Sequence, residues 1–204
     1  MENKYIEDLR EIKDMMSRTS RFSALSGLSG ILVGVIGLLS AFLAYWLVFK
    51  DLNSLVFTQT SLDVSDLTLL LLIALGALVA SLGLIFFLTT MEMKKLQDKP
   101  WDKNSKRVLL NLAIPLLSGG VIVLIFLLNG YPAQAIALTL VFYGLALVNA
   151  SNYTLNFIRE LGILELLAGL LALVFVGYSL ILWAIGFGLL HIIYGFAIKA
   201  RQKA

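Results

Sequence analysis

The chain has 204 residues, 59% of them apolar and only 14% charged, with no cysteine and a formal net charge of +3; a soluble domain is roughly 45–50% apolar and about 25% charged. Among its 16 Lys+Arg and 13 Asp+Glu, one residue alone, Glu165, falls inside the tracts 22–49, 67–90, 108–158 and 161–198. A charge deficit confined to such blocks excludes a soluble enzyme, a nucleic-acid-binding domain, a disordered chain and a secreted disulfide scaffold, and it predicts membrane-spanning helices.

Residues 1–21 carry ten charges, five of each sign. Tyr5, Leu9, Ile12 and Met16 recur at helical spacing, while Lys4/Asp8, Arg10/Asp14 and Asp14/Arg18 pair opposite charges four apart. The pattern predicts an amphipathic cytoplasmic helix. Its balanced polar face points to a helical extension of span one that packs on the 91–107 loop or on a second copy, the alternatives being docking of a separate cytoplasmic protein or an anionic lipid surface, which favours Lys and Arg. The segment is not a secretory signal, because the apolar stretch after it is too long and lacks a small-residue cleavage site.

A helix needs about 20 residues to cross a hydrocarbon layer about 30 Å thick. The first two tracts each hold one span, at 22–49 and 67–90. Each of the longer tracts holds two, divided by Asn129-Gly130-Tyr131-Pro132 and by Gly177-Tyr178-Ser179. The later spans are thus expected at 108–128, 133–151, 160–177 and 179–198, with residues 199–204 as a tail. A β-barrel is excluded because the tracts do not alternate apolar and polar positions. Fifteen of the 16 basic residues lie in the arm, the 91–107 loop, the turn at Arg159 and the tail, leaving Lys50 alone on the opposite side. The fold class is therefore all-α: a polytopic membrane protein of six transmembrane helices with both termini on the cytoplasmic side. The bilayer is its first partner. The positive charge fits this bias and implies no nucleic acid.

Span one carries Ser23, Gly27, Gly30, Gly34, Gly37, Ala41 and Ala44 at alternating intervals of four and three. Without a hydrophobic force between helices in lipid, small residues permit the close backbone approach that holds them together. The stripe predicts a central helix or a dimer interface. Similar stripes occur in span two (Gly76, Ala80, Gly83), span five (Gly162, Glu165, Gly169, Ala172) and span six (Ala184, Gly188, His191, Gly195). Gly30-Ile31-Leu32 with Gly37-Leu38-Leu39 also matches Gly162-Ile163-Leu164 with Gly169-Leu170-Leu171, the outline of a repeated helical hairpin. The run from Arg159 to Lys199, framed by Gly162, Gly169, Gly188 and Gly195, resembles hairpins of the HdeD-like acid-resistance membrane proteins. The whole chain resembles uncharacterised small six-span bacterial inner-membrane proteins. These resemblances imply a helical membrane fold and transfer no functional residue.

Two ionisable groups lie within spans, where such groups are costly and mark candidate functional sites. Glu165 is six residues from Arg159 and His191 eight from Lys199, about 9 and 12 Å along their helices. Asn149, Asn152 and Asn156 follow at i, i+3, i+7 on span four, and Asn111 precedes Pro115 by four residues on span three. Glu165, His191, Asn149, Asn152 and Asn111 are the expected inner-leaflet polar pocket. The alternative is that these groups only join helices by hydrogen bonds worth about 0.6 kcal/mol each. One His, no Cys and one intramembrane carboxylate cannot supply the three protein ligands of a catalytic zinc. HExxH, GxSxG and Walker A motifs are absent, so neither a catalytic residue nor a metal or cofactor is expected. The sequence reads as a non-enzymatic structural, regulatory or interaction component of the membrane. The alternative is a small transporter or ligand-binding protein built on Glu165 and His191.

Overall fold

A computed structural model describes residues 27–50, 62–95, 103–154 and 156–201 of the chain. The expected N-terminal helix, with Ser23 and most of the 50–66 and 96–102 connections, lies outside the described residues. Those described form six helices and no strand. We number them α1 (Gly27–Phe49), α2 (Val64–Lys95), α3 (Lys103–Leu128), α4 (Pro132–Ala150), α5 (Asn156–Val174) and α6 (179–201). All but α5 are long and apolar enough to cross a membrane; α5 has 19 residues and carries Arg159, Glu160 and Glu165. This is where the count of spans read from the sequence meets its physical limit.

The helix ends follow from local chemistry. At the start of α2 the Asp63 carbonyl accepts the Leu67 N–H at 3.0 Å, and its Oδ1 accepts the Asp66 N–H and the Ser65 hydroxyl, each at 2.8 Å. This is an N-cap, and its donors, the Asp66 N–H first, hold the Asp63 carboxyl below its ordinary value of 3.8. The α3–α4 turn falls where Asn129-Gly130-Tyr131-Pro132 predicts it. Gly130 adopts φ +81°, its N–H donates to Leu127 O, and the Tyr131 N–H donates to Phe126 O. That pair of bonds closes the helix end, the Phe126 and Tyr131 rings pack across it 6.1 Å apart, and Pro132 starts α4. Between α5 and α6 the buried Ser179 hydroxyl stands 2.6 Å from Val176 O and 3.3 Å from Ala172 O, fixing the shorter turn.

The most buried helix is α4, which packs on α3, α5 and α6. Its Gly144 faces Gly162 O and Leu166 of α5, and Gly169 of α5 faces Val141 and Leu140. The glycines of the α1 stripe lie against α6, running antiparallel: Gly27 lies against Gly195 and Lys199, Gly30 against Gly195, Gly34 against Gly188 and Ile192, and Gly37 against Phe187. The opposite face, with Leu39, Phe42 and Trp46, is exposed. The small stripe therefore places α1 beside α6, and α4 is more buried than α1. At the end of the bundle holding the α3–α4 turn, Ala41, Ala44, Val48 and Phe49 of α1 share one core with Leu70, Leu127, Ala133, Ile136 and Leu180. Helix α2 joins that core only by its first turns. Among the described residues, none of its side chains from residue 74 to 91 is buried, and a Cβ at Gly76 or Gly83 would meet nothing within 4 Å.

Candidate functional site

The Glu165 carboxyl, 0% exposed, and the His191 ring, from a residue 4% exposed, meet between α4, α5 and α6. Glu165 Oε1 lies 3.1 Å from His191 Nδ1. The same Nδ1 is 3.1 Å from the Gly186 carbonyl, and His191 Nε2 is 2.9 Å from the Tyr143 hydroxyl. A carbonyl only accepts, so Nδ1 carries a proton and donates it to Gly186 O; in the neutral ring Nε2 then accepts from Tyr143 O–H. Oε1 stands off the Nδ1–H direction. Both carboxyl oxygens of Glu165 are consequently buried without a hydrogen bond.

Gly186 makes this approach possible. A Cβ there would lie 2.5 Å from Glu165 Oε2 and 2.5 Å from Leu140 Cδ2, so the carboxyl occupies the space a side chain would fill. Gly186 belongs to a π-helical stretch, Ala184–Leu190, inside α6. Such wide turns are rare and recur at functional sites. Here the stretch separates two faces. The backbone of Gly188 and Gly195 meets α1, whereas the His191 side chain turns to Tyr143 and Glu165. The stripe Ala184, Gly188, His191, Gly195 reads as one face in the sequence because its spacing assumes an uninterrupted α-helix.

Aromatic rings pack beside the pair: Tyr143 and Phe187 at 4.8 Å, Phe187 and Trp183 at 4.9 Å, and Phe187 nearly parallel to the His191 ring at 6.0 Å. Toward the Ser179 end of α6 the polar atoms are satisfied, with Trp183 Nε1–H donating to Thr139 Oγ1 at 3.0 Å and the Thr139 hydroxyl 2.6 Å from Ile136 O. Toward the Lys199 end, one turn beyond His191, the Tyr194 hydroxyl is buried without a hydrogen bond. Tyr143, Gly186 and Tyr194 are site residues that the sequence reading misses. A tyrosine well inside an apolar span, away from the aromatic belts at its ends, needs a partner for its hydroxyl, and that is the signal that finds Tyr143.

The asparagines gather elsewhere. Pro115 has no N–H, so the Asn111 carbonyl four residues earlier loses its helical donor. Asn149 Nδ2 of α4 donates to that carbonyl at 2.9 Å. Asn111 Nδ2 donates to Arg107 O at 2.8 Å and Asn152 Nδ2 to Asn149 O at 3.1 Å. The five expected pocket residues thus form two groups, a pair on α5 and α6 and an α3–α4 clasp. The Asn156 side chain lies outside the described residues.

Chemically, the pair can hold and move a proton. With one proton shared, the site is a carboxylate beside an imidazolium or a carboxylic acid beside an imidazole, and both are neutral overall. Without it, one negative charge is left where an unpaired ion costs several kcal/mol. Among the described residues no three His, Asp or Glu side chains converge. No protein-family model, curated protein or solved structure matches the chain.

Proposed function

We propose that the chain is a small non-enzymatic transporter of the cytoplasmic membrane whose coupling site is the Glu165–His191 pair, loaded by a proton. In this reading α5 is the sixth crossing beside the five more apolar helices, and both termini lie in the cytoplasm. The position of Gly27 beside Lys199 supports termini on one side, and the distribution of Lys and Arg supports the inside. The crossing of α5 is supported by its packing: Glu165 is covered by α4 and α6, so its charge meets no lipid.

The observation that carries the reading is the Glu165 carboxyl, wholly buried, 3.1 Å from an imidazole nitrogen and without a hydrogen bond to either oxygen. A polar pair serving only to join helices would be satisfied, as Asn149 and Asn111 are. A methyl at Gly186 would collide with Oε2, so the carboxyl is seated directly against the α6 backbone. The test is pH-difference infrared spectroscopy of the full chain in nanodiscs. A carboxyl stretch should appear on acidification and vanish in Glu165→Gln. A folded Glu165→Gln variant with an unchanged difference spectrum refutes a proton-loaded Glu165.

A further inference from the structure

The Glu165–His191 pair touches a stretch of α6 that also touches α1. His191 Nδ1 stands 3.1 Å from Glu165 Oε1 and 3.1 Å from the Gly186 carbonyl, while Tyr143 holds the opposite ring nitrogen at 2.9 Å. A ring tipping on its Tyr143 bond can therefore carry one N–H between two acceptors. The Gly186 bond spans five residues, the reach of a π turn; in an α turn the carbonyl beneath His191 would be that of Phe187, four residues back. The ring thus clips the π form of Ala184–Leu190, which ends where the His191 N–H donates to Gly188 O. On its other side this stretch meets α1: a Cβ at Gly37 would lie 2.5 Å from Phe187 O, and one at Gly34 2.6 Å from Gly188 O. Of the titratable groups around the ring, α4 presents Tyr143 and α5 presents Glu165 itself. The facing α1 stretch from Gly27 to Gly37 carries none, and Tyr194 of α6 and Glu160 of α5 lie toward the Lys199 end, where Tyr194 meets Phe157.

We infer that the His191 Nδ1–H is a two-position switch that couples proton loading to the α1–α6 seam, an inference that rests on the proton-loaded reading above. While Glu165 holds the proton, its neutral carboxyl competes weakly and Nδ1–H donates to Gly186 O, the arrangement in the structure. On unloading, the Glu165 O–H bond breaks, the proton leaves for bulk water and the electron pair stays on the carboxylate. A hydrogen bond to an ionised acceptor is roughly twice as strong as a neutral one, so Nδ1–H turns to Oε1. The imidazole keeps its proton and changes only its acceptor. The Gly186 carbonyl loses its clip, and the π stretch is freed at the place where Phe187 O and Gly188 O meet Gly37 and Gly34. Gly195, which meets Gly27 and Gly30 beyond the stretch, keeps its contacts.

His191 is the only histidine of the chain, and Gly-Phe occurs twice, at Gly186-Phe187 and Gly195-Phe196. Solid-state NMR of the full chain in lipid bilayers, with isotope-labelled His ring nitrogens, Gly carbonyl carbons and Phe amide nitrogens, therefore reads the Nδ1–H and these two carbonyls one by one as pH is raised. The Nδ1 proton should move downfield and the Gly186 carbonyl upfield over a single transition, while Nδ1 stays protonated and the Gly195 carbonyl stays in place. In Glu165→Gln, whose amide cannot ionise, the Gly186 carbonyl should keep its acid-form shift at every pH. A wild-type Gly186 carbonyl that stays fixed while the Glu165 infrared band titrates, one that moves as far in Glu165→Gln, or an equal shift at Gly195 overturns the switch and leaves the proton-loaded site intact. Absence of any infrared band sensitive to Glu165→Gln overturns both.

Discussion

The clasp between α3 and α4 yields the sharpest quantitative prediction. Pro115 deprives the Asn111 carbonyl of its helical donor, and Asn149 Nδ2 replaces that donor from the neighbouring helix at 2.9 Å. Asn149→Ala therefore leaves a half-buried carbonyl without a partner, which costs about 1–3 kcal/mol. In a Pro115→Ala background the backbone N–H restored at that position can bond the same carbonyl within the helix. Asn149→Ala then removes only an ordinary interhelical bond, about 0.6 kcal/mol in membrane proteins. The double-mutant cycle should show a coupling of roughly 1–2 kcal/mol. Reversible unfolding by steric trapping in bicelles measures it, and a coupling within about 0.3 kcal/mol of zero would show that Pro115 does not create the acceptor that Asn149 serves.

Three further outcomes follow from the same geometry. Gly37→Ala places a Cβ 2.5 Å from Phe187 O and should separate α1 from α6 at a cost of about 1–3 kcal/mol, whereas Gly76→Ala on α2 meets nothing and should be neutral or stabilising by up to about 1 kcal/mol; equal losses in unfolding measurements would refute the assignment of the two stripes. Gly186→Ala should displace the carboxyl and shift or abolish the Glu165 infrared band while Gly83→Ala leaves it alone. The Asp63 carboxyl is depressed in the folded state, so its capping contribution is complete above the unfolded value and is lost as pH falls through the lower folded one. Amide exchange at Asp66 and Leu67 should accordingly rise in that acidic window, and Asp63→Ala should remove the pH dependence; an Asp63 that titrates at 3.8 or above contradicts the cap.

The helices were legible because uncharged length is a coarse property that needs no partner. Asn129 through Pro132 announced its turn through Gly130 and Pro132, each required by a specific backbone geometry. The glycine stripes were legible as packing surfaces but not as addresses: Gly27 to Gly37 found α6, Gly162 and Gly169 found α4, and Gly76 and Gly83 found nothing. The glycines framing the hairpin from Arg159 to Lys199 serve contacts to other helices, Gly162 and Gly169 on α4 and Gly188 and Gly195 on α1. Glu165 and His191 could be singled out by cost and matched by depth. Gly186 could not, because its role depends on a π turn that spacing rules do not encode. The asparagines misled for a related reason. The sequence shows their donors and acceptors but not the carbonyl that Pro115 leaves open on another helix.

Helix α2, finally, has 32 residues and so spans about 48 Å, against a hydrocarbon layer of about 30 Å. It meets the shared core only through its first turns, and side chains such as Leu75, Val79, Leu82 and Phe86 are more than half exposed. Among the described residues its position is then set by partition between water and lipid more than by packing on neighbouring helices. An apolar helix of different sequence, spliced in after Ile73, would leave the Glu165–His191 pair, the Asn149 clasp and the α1–α6 seam with the partners they have now.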